Sequence, residues 1–206
     1  MSAVYGNEIP TIDVALVTVT TTDGVEIGLA TANKLEVNPQ TETQDAIKLV
    51  VKGVLLAQKP EQVTITGHTL TLTDNVFNPE LVKILQGGTI KYWTTADMTA
   101  EGDVDKGFGV ARYTPPAAGV KNEIAPFTLN AYSAVYNAAG LCTKYEKTMY
   151  PNCQGQPVAL SSEDGVFRAP EYTINSAPDK GQPPYEITYP KELPVLSNPV
   201  AVEVND

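Results

Sequence analysis

The chain has 206 residues, 42% hydrophobic and 18% charged, and a net charge of −10, which is long enough for one large domain with a real core. The acidic balance speaks against a protein that tracks nucleic-acid phosphates, because such a protein needs a basic patch to release counterions. No run of about eighteen apolar residues exists to cross a membrane as a helix, and 16 prolines with 15 glycines favour strands joined by turns over a helical bundle.

Residues 1–10 read as an N-terminal arm broken by Gly6, Asn7 and Pro10. The opening residues lack the basic and apolar regions of a signal peptide, so the chain is expected in the cytosol. Ile12–Thr21 alternates, Thr22-Asp23-Gly24 turns, and Val25–Ala32 returns, which predicts a hairpin. Asn33–Gln44 is polar without a clean period and carries the turn signal Asn38-Pro39, so it reads as a long loop. Ala46–Lys59 fits either a helical stripe or two short strands around Lys52-Gly53; the β-branched residues and the central glycine favour the hairpin.

Val63–Thr73 is a long alternating strand whose apolar phase changes. Val63 and Ile65 occupy odd positions and Leu70 and Leu72 even ones, with Gly67 at the slip, the signature of a bulge or bend. Residues 78–86 then predict a short helix. Asn78 is its N-cap and Pro79 its first position, Leu81, Ile84 and Leu85 form its packing face, and Gly87 closes it.

Thr89–Thr94 reads as a strand, followed by a polar loop with Asp97, Glu101, Asp103 and Asp105. Gly107–Tyr113 and Ile124–Val135 are further strands. Asn137–Gln156 is irregular, and short strands are expected at Pro157–Leu160, Glu171–Ile174 and Tyr185–Tyr189. The domain expectation is a single β domain over residues 11–189, with an extended C-terminal arm over 190–206. The fold class is mainly β: an antiparallel β-sandwich or barrel with one short flanking α-helix, extended loops and terminal arms.

A search for chemistry yields no catalytic, cofactor-binding or metal-binding set. His68 is the only imidazole and sits mid-strand, which suits a structural or interface role better than that of a base for a nucleophile. The acidic loop fails the calcium-loop pattern, because Gly107, Phe108 and Thr114 stand where two oxygen ligands and the loop glycine belong. Gly107-Phe-Gly109 lacks the third glycine of a dinucleotide fingerprint. Cys142 and Cys153 are expected as free thiols. Ten tyrosines keep open a monomeric β-sandwich module that binds carbohydrate or another ligand, and carboxylate pairs keep open a hydrolase, though no spacing locates one.

Thr64–Gly88, with its strand, Asp74-Asn75-Val76-Phe77 junction, short helix and Gly-Gly ending, resembles the tail tube (major tail) proteins of tailed bacteriophages and phage-like particles, especially those of Gram-positive bacteria. The Lys48–Pro60 hairpin, Tyr150–Gly155, Gln182–Tyr185 and Leu193-Pro194 add to the likeness, which spans most of the chain. The resemblance implies a non-enzymatic virion protein without cofactors, assembled in the host cytoplasm. Six copies would form a ring, and rings would stack into a hollow tube through which DNA passes without specific binding or membrane insertion. The loop 33–44, with Lys34, Glu36, Asn38, Pro39 and Glu42, would reach the next ring, and Glu36, Glu42, Asp45 and Glu61 would be lumen carboxylates. Implied partners are tape measure, baseplate and tail terminator proteins, and a sheath protein if the tail is contractile. Open strand edges, non-closing head-to-tail contacts and an acidic wall agree physically with such a tube.

Overall fold

A computed structural model describes residues 9–93, 109–119 and 124–196. The acidic loop Asp97–Asp105, most of the N-terminal arm and the last part of the C-terminal arm lie outside the described residues.

The chain is mainly β, with antiparallel sheets and, among the described residues, one helix. β1 (Thr11–Thr21) and β2 (Glu26–Leu29) form the expected first hairpin, with Gly24 at positive φ in its turn. β3 (Ala32–Gln44) and β6 (Gln62–Asp74) pair along their whole length. Between them β4 (Ile47–Val51) and β5 (Val54–Lys59) close a second hairpin at Lys52-Gly53, both at positive φ. Helix α1 (Pro79–Gln86) follows, then β7 (Thr89–Tyr92) paired with β8 (Val110–Thr114). β9 (Phe127–Tyr136), β10 (Cys142–Gly155), β11 (Glu171–Ser176) and β12 (Glu186–Thr188) complete the chain. The main sheet runs β2-β1-β9-β10-β11-β6-β3, with β12 pairing β10 beside the end of β11. Among the described residues it does not close into a barrel; β2 and β3 are its edges.

Three expectations are corrected. Asn33–Gln44 is no loop but strand β3, because β6 supplies a twelve-pair antiparallel partner whose cross-strand hydrogen bonds need no apolar period from the edge strand. The stretch read as irregular within Asn137–Gln156 holds β10, the longest described strand at 14 residues. Its register with β9 breaks between Cys142 and Lys144 and again between Tyr150 and Cys153, and each bulge shifts the alternation that sequence reading looks for. Pro157–Leu160 forms no strand; Pro157 has no N–H to give a ladder.

The core lies on one face of the sheet. Val17, Val19, Leu129, Tyr150, Cys153, Ile174, Tyr172, Leu70 and Leu72 line it, and α1 covers it with Leu81, Val82 and Leu85. Leu81 and Leu85 are fully buried, and Ile84 packs at the margin. The helix starts where Asn78 Oδ1 accepts from the amides of Glu80 and Leu81 at 2.9 and 3.1 Å, which satisfies two of its otherwise orphan donors. It ends at Gly87, whose N–H donates to Lys83 O at 2.8 Å. Gly155 lets it sit low, since a Cβ there would collide with the backbone of Leu85. Asp74, buried at the end of β6, accepts from Thr31 Oγ1 at 2.6 Å and ties the β2–β3 turn to the start of the helical segment.

The opposite face is covered too. Leu16, Thr18, Asn130 and Tyr132 are buried there, Asn130 donating to Thr18 Oγ1 at 3.1 Å. Residues 188–194 run along Tyr132 and Lys147, and Leu196 lies on Gly28, the partner of Thr18 in β2. The last described stretch is therefore a strap across the second face.

Candidate assembly surface

β3 and β6 do not stop where the sheet stops. β6 pairs β11 only from Thr73 back to His68, while its pairing with β3 continues to Gln62 opposite Gln44. β4 and β5 carry the same two chains onward from Ile47 opposite Lys59. The outcome is a two-stranded ribbon that leaves the body at His68 and ends at Lys52-Gly53. The phase change read at Gly67 is a bulge: Gln40 pairs Gly67 and Thr41 pairs Ile65, so Thr66 is left out of the register and its hydroxyl donates to Gln40 O at 3.2 Å.

The ribbon exposes apolar side chains that a sheet would normally cover. Ile47 is 67% exposed, Val54 60% and Leu56 62%, and Leu49, Val50, Leu55, Val63 and Ile65 are also exposed. Alternation places Ile47, Leu49, Val51, Val54 and Ala57 on one face of the hairpin, with Val50 and Leu55 on the other. Apolar groups thus crowd both faces near the tip. The hairpin carries Lys48, Lys52 and Lys59 and no carboxylate, in a chain whose net charge is −10.

Of the residues singled out in sequence, Lys34, Glu36 and Asn38 lie on the part of β3 inside the main sheet, Pro39 lies where the ribbon departs, and Glu42, Asp45 and Glu61 lie on the ribbon. Lys34, Glu36, Asn38 and Glu42 alternate onto the face of β3 opposite the core, all exposed, with Lys34 and Glu36 ion-paired. The Glu36 carboxylate holds the Lys34 ammonium above its ordinary pKa. Pro39 lies on the other face, opposite His68. Asp45 and Glu61 sit in the two breaks between the strand pairs, both exposed. Glu36 and Glu42 share a face but stand six residues, about 20 Å, apart, so the structure does not gather the four carboxylates into one cluster. Charges and a proline on a free edge are what keep edge strands from pairing indiscriminately.

Sequence reading passed over the hairpin as a surface. Its signal was present: Ile47–Leu56 is apolar in both phases of the alternation, which only a strand buried on both sides, or awaiting burial, can use.

Elsewhere the described residues offer little chemistry. No three His, Cys, Asp or Glu side chains among them gather into a metal-holding group, and no described helix is long and apolar enough to cross a membrane. Cys142 is exposed and Cys153 buried, both as free thiols; burial pushes the Cys153 thiol up to about 11. A shallow groove of about 500 Å³ lies over Tyr132, Tyr189 and Pro194. Its two rings already carry cations: Lys144 Nζ stands 4.5 Å over Tyr189 and Lys147 Nζ 5.8 Å over Tyr132. A sugar stacking on those faces would have to displace the lysines.

No family model matches the chain, and no curated protein matches it. Among solved structures, a chain of the anti-feeding prophage cap, its tube-terminating cap, is similar at 14% identity and a TM-score of 0.38, over 91% of this chain and 95% of that one. A chain of the anti-feeding prophage baseplate is similar at 9% identity and a TM-score of 0.33, over 91% of this chain and 97% of that one. Scores at this level carry no argument about what the chain does.

Proposed function

We propose that the chain is a structural subunit of a phage-like tail, self-assembling as hexameric rings that stack into a hollow tube for the passage of DNA. The observation that carries this reading is the ribbon, a long two-stranded projection with apolar side chains on both faces of its tip. Contiguous apolar surface of this kind on a soluble chain marks a contact site, and here it stands clear of the subunit's own core. Open edges at β2 and β3 supply a second means of joining copies, strand to strand. The reach between rings that the resemblance assigns to Asn33–Gln44 passes in this reading to the hairpin Ile47–Lys59, whose basic tip suits the acidic body of another copy. Glu36, Glu42, Asp45 and Glu61 are proposed to face the lumen, where negative charge keeps DNA mobile. Tape measure, baseplate and terminator proteins are the proposed neighbours, with a sheath if the tail contracts; the proposed setting is the virion tail, assembled in the host cytoplasm.

The test is a double substitution at exposed positions, Val50→Asp with Leu55→Asp, followed by sedimentation over a range of concentrations. Wild-type protein is expected to form high-mass assemblies that the variant, equally folded by circular dichroism, fails to form. Equal assembly by the variant would remove the hairpin from the proposal.

A further inference from the structure

The point where the ribbon leaves the sheet is built unlike the rest of it. Ser176 is the last residue of β11 to pair, with His68 on one side and Cys153 on the other. Beyond it β10 takes β12 as its neighbour in place of β11. Gly67 lies so close to the Ser176 carbonyl that a Cβ would not fit. Three rings meet at this point: His68 from β6, Tyr150 from β10 and Tyr185 from the segment leading into β12. His68 stands edge-on to both tyrosines, with centroids 5.5 Å from each, and the tyrosines are 6.4 Å apart. His68 as a residue is 4% exposed, and its Nδ1 has no hydrogen-bond partner among the described residues.

A neutral imidazole can be left with one nitrogen unpartnered, whereas an imidazolium has two N–H donors to satisfy and a charge to bury. The groups around it do not supply an anion. On β10, the Tyr150 hydroxyl is pushed by burial up to about 12 and the Cys153 thiol up to about 11, so both are neutral. Ser176 comes from β11, and Pro39 and Gln40 from β3. Glu146 acts on Tyr150, and Glu186 follows Tyr185 on an exposed strand. Burial alone lowers the His68 pKa, with no neighbouring charge opposing it.

We infer that protonation of His68 opens this three-ring cage, releasing Tyr185 and the β12 segment and freeing the angle at which the ribbon leaves the sheet. Tyr185 is the wall that yields. It is 42% exposed, against 7% for Tyr150, and β12 holds only three register pairs with β10. The sign follows from linkage. The closed cage favours neutral His68 while the open one leaves it at its ordinary 6.5, so closure is fully favoured above that pH and weakens as pH falls toward the lowered value. The device belongs to the single chain and does not depend on assembly.

His68 is the only histidine, so its imidazole resonances in the full-length protein are unambiguous by NMR. The expected result is a His68 pKa below 6.5, with hydrogen-exchange protection at Glu186–Thr188 falling over the same pH range, tenfold for every unit of depression. His68→Phe keeps a ring and should abolish that acid response. Tyr185→Ala, at an exposed position, should return the His68 pKa toward 6.5. An ordinary His68 pKa, protection indifferent to its titration, an acid response that survives in His68→Phe, or an unchanged pKa in Tyr185→Ala would each overturn the inference.

Discussion

Gly155 and Cys153 show how single residues on β10 set the depth and the chemistry of the core. Gly155 lies directly under Leu85, so Gly155→Ala must push α1 outward. Overpacking of this kind costs about 1–3 kcal/mol, a loss that urea unfolding should register with the fold intact. The two thiols differ chiefly in burial. Cys153 is fully buried, with its thiol pushed up to about 11, and Cys142 is exposed. Since the thiolate is the reacting species, a disulfide reagent at pH 8 should label one cysteine of the native protein quickly and the second only on unfolding. Fast labelling of both would contradict the burial of Cys153. Neither effect was legible in sequence, because each depends on what packs against β10.

At the scale of elements, what sequence could read was what local chemistry writes. The helix was legible because Asn78, Pro79 and Gly87 cap it whatever surrounds it. The first hairpin was legible because Thr22-Asp23-Gly24 separates two runs of clean alternation. The Gly67 slip was legible because Leu70 and Leu72 lie out of phase with Val63 and Ile65. β3 was not, because a polar edge strand takes its conformation from its partner β6 and carries no period of its own. β10 was not, because two bulges scramble its alternation. Of the candidate site, the carboxylates were legible as residues, but their separation, Glu36 inside the sheet and Glu42, Asp45 and Glu61 along the ribbon, was not. Since α1 has only eight residues, its stability comes from the sheet beneath it. Leu85→Ala should therefore cost about 2–5 kcal/mol, visible in urea as a lowered midpoint; a loss under 1 kcal/mol would mean that the helix does not cover the core as described.

At the scale of the whole molecule, the described residues present two sheet edges without a partner strand and one long apolar ribbon. The apolar tip residues from Ile47 to Leu56 stay 45–67% exposed, and in the proposed assembly another copy covers them. Head-to-tail contacts that do not close along an axis make a filament, and those that close around it make a ring; in the proposed tube the open sheet edges would make the ring and the ribbon the stack. Because the ribbon is basic at its tip and the chain is acidic overall, assembly should weaken as salt rises if tip-to-body attraction contributes.

The most direct measurement is negative-stain electron microscopy of the full-length protein over increasing concentration, with light scattering on the same samples. The predicted result is hollow tubes or rings with six-fold symmetry, their mass rising with concentration. A monodisperse monomer at every concentration, with the hairpin Ile47–Lys59 freely accessible to protease, would contradict self-assembly through the ribbon.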